Sequence, residues 1–250
     1  MEMEHFKTRH IGIKPEDLGN MLQTVGVSSV DELIDQTIPA DIRLKKPLSL
    51  PKAQSEMEYA EEIGRIASVN RVFTSYIGMG WYDTITPAAI YRNVFENPVW
   101  YTSYTPYQAE ISQGRLEALL NFQTAVSELT GLPLANCSLL DEATAAAEAA
   151  TMMYGLRSRD QVKNNTETLF VDQYIFPQTL GVLRTRMGMA GIEIEVGDYK
   201  CFDAEKKYFG AVVQYPNSNG NVEDYRSFVE KAHASDCKVA VAADLMSLVL

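Results

Sequence analysis

The order of apolar and polar positions in the first seventy residues predicts short helices joined by proline-containing linkers. In the first helix, Pro15 falls in the first turn ahead of two acidic residues, and Gly26 is a typical stop. The polar stretch 44–54 contains two prolines and predicts a connection. The predicted helices are 15–26, 28–39 and roughly 55–71. Together they predict an N-terminal helical arm or layer over residues 1–72.

From about residue 105, helical patterns alternate with short runs that resemble strands, most of them nearly all apolar. The predicted strands are 168–173, 192–196, 210–216 and 237–244. Helices are expected between them, one beginning at Pro177 and one over 222–235. This alternation is typical of βα units that build a parallel sheet covered on both faces. We therefore predict an α/β fold, with an incomplete large domain over residues 73–250.

The run YTSYTPYQAEISQG at 101–114 repeats tyrosine at every third position among hydroxyl side chains. Thr105 to Gln108 has the T-x-x-Q form of a capping box with proline at the first helical position. It is predicted to open a helix that ends near Gly131. The residues expected on one face of this helix are Leu116, Leu119, Leu120, Gln123 and Val126. From the residues alone, the tyrosines either pack at a helix entry or line a polar pocket.

The stretch LLDEATAAAEAA at 139–150 predicts a helix with six alanines in eight residues, which favours close packing against its neighbours. Its N-terminus, near Asp141 to Thr144, is the kind of place where α/β proteins bind phosphate. However, the carboxylates of Asp141 and Glu142 would repel a phosphate. A capped, tightly packed helix is the favoured interpretation.

Two loops and one aspartate are further candidates for a ligand site. Gly78 and Gly80 lack the third glycine of a dinucleotide fingerprint, so a close backbone approach at a bend is expected. Asn217 and Asn219 follow a predicted strand and either form the turn or contact a ligand. Asp244 ends another strand, where capping and pairing with a cofactor are equally compatible with the sequence.

Composition excludes several functional classes. The 250 residues carry a formal net charge of −11, and their basic residues are scattered, which argues against nucleic acid or an anionic membrane as partner. The odd cysteine count without C-x-x-C favours a reduced protein over a disulfide scaffold. No histidine pair has metal-ligand spacing, so no metal site is expected. The residues concerned are Cys137, Cys201, Cys237, His5, His10 and His233.

The two ends of the chain carry expectations about its context. The start has no apolar signal-peptide core and no run approaches the length of a spanning helix, so a cytoplasmic location is expected. The end, AADLMSLVL, is an apolar run directly after a predicted core strand. We therefore expect a fragment of a longer chain, the alternative being a terminus tucked under the sheet. Exposure of Leu248, Val249 and Leu250 would favour self-association.

Several long blocks of the sequence resemble the amino-terminal half of the glycine decarboxylase P-protein family. The most specific are YTPYQAEISQG at 104–114 and LLDEATAAAEA at 139–149. RHIG at 9–12 and VAVAADLMSLVL at 239–250 match the same family, so the resemblance spans essentially the whole chain.

The resemblance implies a fold and an activity. P-proteins use pyridoxal 5′-phosphate (PLP) to decarboxylate glycine and pass the aminomethyl group to the lipoyl arm of H-protein. They consist of two related halves of the aminotransferase-like fold type I, either fused or as separate subunits. The lysine that binds PLP lies in the carboxyl-terminal half. By this resemblance, the present chain is part of a degenerate half that is inactive alone and lends residues to its neighbour.

The resemblance also implies site residues and partners. Tyr104, Tyr107 and Glu110 match positions that reach the glycine and the cofactor from the neighbouring half, whereas Tyr101 lies outside the matched set. Glu110 would shuttle a proton or orient a partner if it is buried. Asp244 matches the position that holds the cofactor ring nitrogen in fold type I, but no residue of this half is expected to bind cofactor or metal. The implied partners are lipoylated H-protein, the carboxyl-terminal half or partner subunit, and glycine.

Two rival functions remain at this point. One is a non-catalytic α/β scaffold or interaction half of the same complex. The other is a different PLP enzyme, such as an aminotransferase, which would require a cofactor lysine in a strand-to-turn context. That lysine does not occur before the chain ends at Leu250.

Overall fold

The computed structural model describes residues 9–10, 12–102 and 104–250. His5, Ser103 and the isoleucine of the RHIG block lie outside these described residues. The chain forms two compact units, Met1–Thr74 and Ser75–Leu250.

Three helices in the described part of the first unit, residues 12–74, have clear local causes. They are α1 (Pro15–Val25), α2 (Val30–Thr37) and α3 (Glu56–Ala67). Gly26 ends α1 in the left-handed conformation, with φ of 84°, as glycine can without strain. Ser29 caps α2, and Ser55 forms a reciprocal capping box with Glu58 at the start of α3. The predicted starts of these helices are confirmed.

The predicted end of the third helix at Arg71 is wrong, because α3 stops at Ala67. The Ser68 hydroxyl donates to the Arg65 carbonyl at 2.7 Å, and the Asn70 amide donates to the Ala67 carbonyl at 3.1 Å. These side chains satisfy the last carbonyls and replace a further helical turn. Among the described residues of this unit, only Val27 is buried.

The second unit begins with short helical pieces and continues into alternating helices and strands. The helices are α4 (Ala88–Ile90, continued by a π-helical turn Tyr91–Phe95), α5 (Pro98–Tyr101), α6 (Gln113–Thr130), α7 (Glu142–Gly155), α8 (Arg159–Lys163), α9 (Pro177–Met189) and α10 (Arg226–Ala234). The strands are β1 (Thr168–Asp172), β2 (Glu193–Gly197), β3 (Gly210–Tyr215) and β4 (Lys238–Ala243). All four predicted strands are confirmed.

The predicted helix opening at Thr105–Gln108 is wrong, because α6 begins only at Gln113. Pro106 has no N–H to donate, and the Tyr107 N–H donates to the Thr105 carbonyl at 2.9 Å instead of entering a helical ladder. None of the described residues 104–112 is buried, so no packing stabilises a helix there. The predicted end at Gly131 is confirmed, with φ of 70°.

The strands form one parallel sheet in the order β2-β1-β3-β4. On one face, α7 and α9 bury an aliphatic core that includes Ala147, Leu183 and Val212. On the other face, α10 and the connection after β2 bury an aromatic core that includes Phe170 and Phe228. The predicted α/β fold with both faces covered is therefore confirmed.

Close approach between α7 and the sheet follows from small residues. Ala147 and Ala150 are completely buried. A Cβ placed on Gly210 of β3 would lie 2.9 Å from the Met153 sulfur, which leaves no room for a side chain. This contact holds the last turn of α7 against the start of β3. The first turn of α7 lines the same cavity as the carboxyl ends of β3 and β4.

The helix predicted over 222–235 starts later than expected, at Arg226. The Asp224 carboxylate accepts from the Arg226 N–H at 3.1 Å, and the Asn217 side chain accepts from the Asn221 N–H at 3.0 Å. These side-chain acceptors take backbone N–H groups on both sides of residues 222–225, which stay outside the helix. None of the described helices has the length and apolar character needed to cross a membrane.

Candidate functional site

A cavity of about 1140 Å³ opens at the carboxyl ends of β3 and β4. The start of α7 forms one wall, the loop after β3 a second, and residues 244–250 a third. The turn around Gly80 closes the remaining side. This edge of an open parallel sheet is where α/β proteins place their ligands, because loops and helix N-termini converge there.

The glycine turn approaches the helix layer closely. Gly78, Met79 and Gly80 all have positive φ, at 68°, 54° and 83°. A Cβ on Gly80 would lie 3.1 Å from the Phe176 ring. The Gln178 amide donates to the Met79 carbonyl at 3.0 Å, which ties the turn to α9. The predicted bend with close backbone approach is confirmed.

The N-terminus of α7 is occupied by its own carboxylates. Asp141 accepts from the Thr144 N–H at 2.7 Å, and its hydrogen bonds to Thr144 lower the pKa of its carboxyl. The Glu142 carboxylate accepts from the Gln178 amide at 3.0 Å and lines the cavity. The interpretation as a capped, tightly packed helix is confirmed, because Asp141 caps its first turn and the helix buries several small side chains.

Asp244 acts as a cap at the end of β4. One carboxylate oxygen accepts from the Met246 N–H at 2.8 Å, which starts the short 3-10 turn Leu245–Val249. The other oxygen accepts from the Tyr82 hydroxyl. Of the two alternatives for Asp244, the structure supports capping. The contact with Tyr82, from a residue 162 positions away, has no local sequence signal.

Two buried amides in the cavity lining were not identified as a pair from the sequence. Gln214 is 4% exposed, and its amide donates to the Ala242 carbonyl at 2.8 Å. Asn217 is 2% exposed, and its oxygen accepts from the N–H groups of Asn219 and Asn221, each at 3.0 Å. Asn217 is thus the predicted turn former. The signal for Gln214 was a single polar side chain in the apolar strand GAVVQY.

The cavity lining does not fit PLP. Among the described residues, no lysine, arginine or histidine lines the cavity, so nothing there could bind the cofactor aldehyde or balance its phosphate. Glu142 and Asp244 instead contribute two carboxylates. The described residues also contain no group of three or more side chains able to hold a metal ion.

The tyrosine run lies away from this cavity. Tyr104 and Tyr107 are 76% and 81% exposed, and their ring centroids are 6.3 Å apart at 53°. Glu110 is also exposed, so the described part of this chain does not supply the burial that its expected role requires. None of the three lines the cavity. The structure brings the two phenols together and leaves them accessible.

A buried acid on the opposite face of the sheet was also not identified from the sequence. Asp172 ends β1 with no exposed surface, and one of its oxygens accepts from the Tyr199 N–H at 3.2 Å. Burial raises the pKa of the Asp172 carboxyl. Its second oxygen has no hydrogen-bond partner among the described residues. The polar position closing the apolar strand TLFVD was the available signal.

The cysteines form no disulfide in the part of the chain that the structure describes. Cys137, Cys201 and Cys237 are all free thiols. Cys237 is buried, which raises the pKa of its thiol to about 12 and makes it unreactive at neutral pH.

Comparison with known proteins gives a consistent result. The family model described as "Glycine cleavage system P-protein" matches residues 8–250. The glycine dehydrogenase (decarboxylating) of Bacteroides thetaiotaomicron is 63% identical over 250 residues, covering 100% of this chain and 26% of that protein. The Flavobacterium johnsoniae protein of the same name is 56% identical over 248 residues, covering 99% of this chain and 26% of that protein. The chain therefore spans about a quarter of the length of these curated relatives.

A solved structure agrees with the sequence matches. It is the crystal structure of a glycine decarboxylase (P-protein) of the glycine cleavage system in inhibitor-bound form. It is 30% identical to this chain with a TM-score of 0.79, covering 95% of this chain and 53% of that one. This likeness and the parallel sheet confirm the predicted fold class, a partial fold type I, aminotransferase-like large domain. The chain belongs to the glycine cleavage system P-protein family.

Proposed function

We propose that this chain is part of a glycine dehydrogenase (decarboxylating). The complete protein would oxidatively decarboxylate glycine and transfer the aminomethyl group to the lipoyl arm of H-protein. The observation that carries the proposal is 63% identity over the whole chain to a protein of that name. Glycine, lipoylated H-protein and the remaining part of the enzyme would be the partners.

The cofactor proposed for the complete enzyme is PLP, which supplies an electron sink for decarboxylation when bound. Residues outside this chain would hold it. The support is chemical, because the sheet-edge cavity of this chain offers two carboxylates and no cationic side chain among its described residues. We therefore assign no cofactor-binding residue to this chain.

The proposed contribution of this chain to catalysis comes from Tyr104, Tyr107 and Glu110. Their exposure leaves them free to reach into a pocket formed by a neighbouring part of the protein. Phenol hydroxyls can orient the glycine carboxylate by donating hydrogen bonds without adding charge. Glu110, once covered by that neighbour, would hold or transfer a proton.

The test is exchange of labelled bicarbonate into the glycine carboxyl group, catalysed by the full-length enzyme with PLP and lipoylated H-protein. Glu110→Gln and Tyr107→Phe should each lower the exchange rate by about 10²-fold, the usual contribution of a positioned acid or base. Matched controls are Glu117→Gln and Tyr101→Phe, which alter exposed side chains of the same types. They should retain normal exchange.

The outcomes separate the proposal from its rivals. No exchange in a folded, PLP-loaded wild-type enzyme would overturn the proposed activity. Normal exchange in Glu110→Gln and Tyr107→Phe would leave the activity but favour a scaffold role for this part of the chain. The separate 250-residue chain, incubated with PLP and borohydride, should give no stoichiometric lysine adduct, and such an adduct would contradict the cofactor assignment.

A further inference from the structure

The cavity at the carboxyl ends of β3 and β4 carries negative charge that its own lining does not offset. Glu142 and Asp244 line it. Their hydrogen-bond donors among the described residues are neutral, namely the Gln178 amide, the Tyr82 hydroxyl and the Met246 N–H. Among the described lining residues there is no cationic side chain. Two carboxylates beside an apolar wall attract a cation more strongly than they would in water.

Two buried side-chain amides in the same lining each have one polar atom without a hydrogen-bond partner among the described residues. Gln214 lies two residues after Val212 in β3, so both side chains point to the sheet face that α7 covers, and both line the cavity. Its oxygen has no partner among the described residues, and neither does the side-chain nitrogen of Asn217. A buried acceptor and a buried donor without partners cost free energy unless another molecule supplies them.

The remaining walls limit the chemistry of an occupant. Ala145, Ala146 and Ala149 of α7 present only methyl groups, and Phe176 adds an aromatic wall. A metal ion would need more oxygen ligands than two carboxylates that already accept hydrogen bonds. The described residues contain no group of three or more side chains that could hold a metal ion. An organic cation with a short apolar body matches the carboxylates and the methyl groups together.

We propose that this cavity binds a small protonated amine that also carries an uncharged oxygen. The ammonium group would lie near Glu142 and Asp244 and donate to the free oxygen of Gln214. The uncharged oxygen would accept from the Asn217 amide nitrogen. An anion such as phosphate is excluded by the same charges. This inference rests on the cavity alone and does not depend on the proposed activity.

The test uses N,N-dimethylethanolamine and the full-length protein. This tertiary amine is protonated at pH 7.5, carries a hydroxyl oxygen, and cannot condense with the aldehyde of any PLP in the protein. Isothermal titration should detect saturable binding, and Asp244→Asn and Gln214→Leu should each weaken it at least ten-fold. Glu193→Gln alters an exposed carboxylate on β2 and should leave binding unchanged.

Two further arms keep the outcome decisive. The neutral isostere 3-methylbutan-1-ol should bind at least ten-fold more weakly, and equal binding would overturn the charge argument. Glu142→Gln retains an acceptor for Gln178 and serves if Gln214→Leu fails to fold. Absence of binding to the wild-type protein, or binding that both Asp244→Asn and Glu142→Gln leave unchanged, would refute the site.

Discussion

Residues 141–250 and residues 75–140 belong to the same compact unit, but they differ in how far their side chains are buried. The first region contains two hydrophobic cores, one on each face of the parallel sheet. In the second region, none of the described residues is buried, although α6 alone runs for 18 residues. Ile85 is 98% exposed and Tyr76 is 91% exposed.

The two regions therefore depend on different sources of stability. The βα region contains both hydrophobic cores, and their contribution to stability grows with the apolar area that they bury. The region 75–140 is tied to it at a few points, such as the hydrogen bond from Gln178 to Met79 and that from Tyr82 to Asp244. Its large exposed apolar surface is of the kind that marks an interaction surface.

The largest expected difference in unfolding free energy is between two leucine-to-alanine substitutions, one in each region. Leu183 in α9 is completely buried, and Leu183→Ala should lower the unfolding free energy by about 2–5 kcal/mol. Leu120 in α6 is 63% exposed, and Leu120→Ala should change it by about 0.5 kcal/mol or less. Native-state hydrogen exchange of the β1 and β3 amides measures both. Equal losses would mean that α6 packs as tightly as α9.

A smaller effect is expected where the exposed region approaches the core. Gly80→Ala forces a side chain into the left-handed region, at φ of 83°, and places its Cβ 3.1 Å from the Phe176 ring. The strain should cost about 1–3 kcal/mol. Urea unfolding followed by tryptophan fluorescence is a suitable measurement, because Trp81 adjoins the turn.

The control for Gly80→Ala is another glycine of the same region. A Cβ on Gly114 in α6 would meet no atom within 4 Å, so Gly114→Ala should be neutral or stabilise by up to about 1 kcal/mol. A harmless Gly80→Ala would show that the turn moves freely and that the hydrogen bonds to Gln178 and Asp244 do not hold it.

Local signals in the sequence predicted most of the elements, because the residues that cause them are adjacent in the chain. Pro15 and Gly26 bound α1, and Ser55 caps α3, within one residue of the predicted positions. The strands were predictable because apolar runs next to turn residues leave few alternatives to a buried strand. The fold class followed from the alternation of these runs with helices.

The errors arose where a local signal lacked packing to support it, or where the cause was distant. Thr105–Gln108 has the pattern of a capping box, but none of residues 104–112 is buried, and α6 begins at Gln113. Tyr82 and Asp244 meet across 162 positions, which no local pattern reports. The free oxygen of Gln214 depends on the neighbouring strand as well as on its own. These contacts therefore required the structure.

The smallest expected effect compares the pH dependence of one buried and one exposed acid. Burial raises the pKa of Asp172 above its ordinary value of 3.8. The folded state then binds this proton more tightly than the unfolded state. The contribution of Asp172 to stability is therefore fully present below about pH 3.8 and is lost as pH rises through the folded pKa. Asp172→Asn should remove that fall, which cannot exceed about 1.4 kcal/mol per pH unit.

The pKa of Asp141, at the boundary between the two regions, is shifted in the opposite direction, so its effect on stability has the opposite dependence on pH. Its hydrogen bonds to Thr144 lower its pKa, so its contribution is present above pH 3.8 and is lost as pH falls through the folded value. Asp141→Asn should therefore flatten the acid limb only. Unfolding free energies of the wild type and both variants, measured in urea between pH 3 and pH 7, would resolve the two slopes.

If Asp172→Asn lost stability relative to the wild type between pH 4 and pH 7, the Asp172 carboxylate would have to be stabilised by a partner. The free oxygen at the end of β1 would then need a donor from outside the described residues.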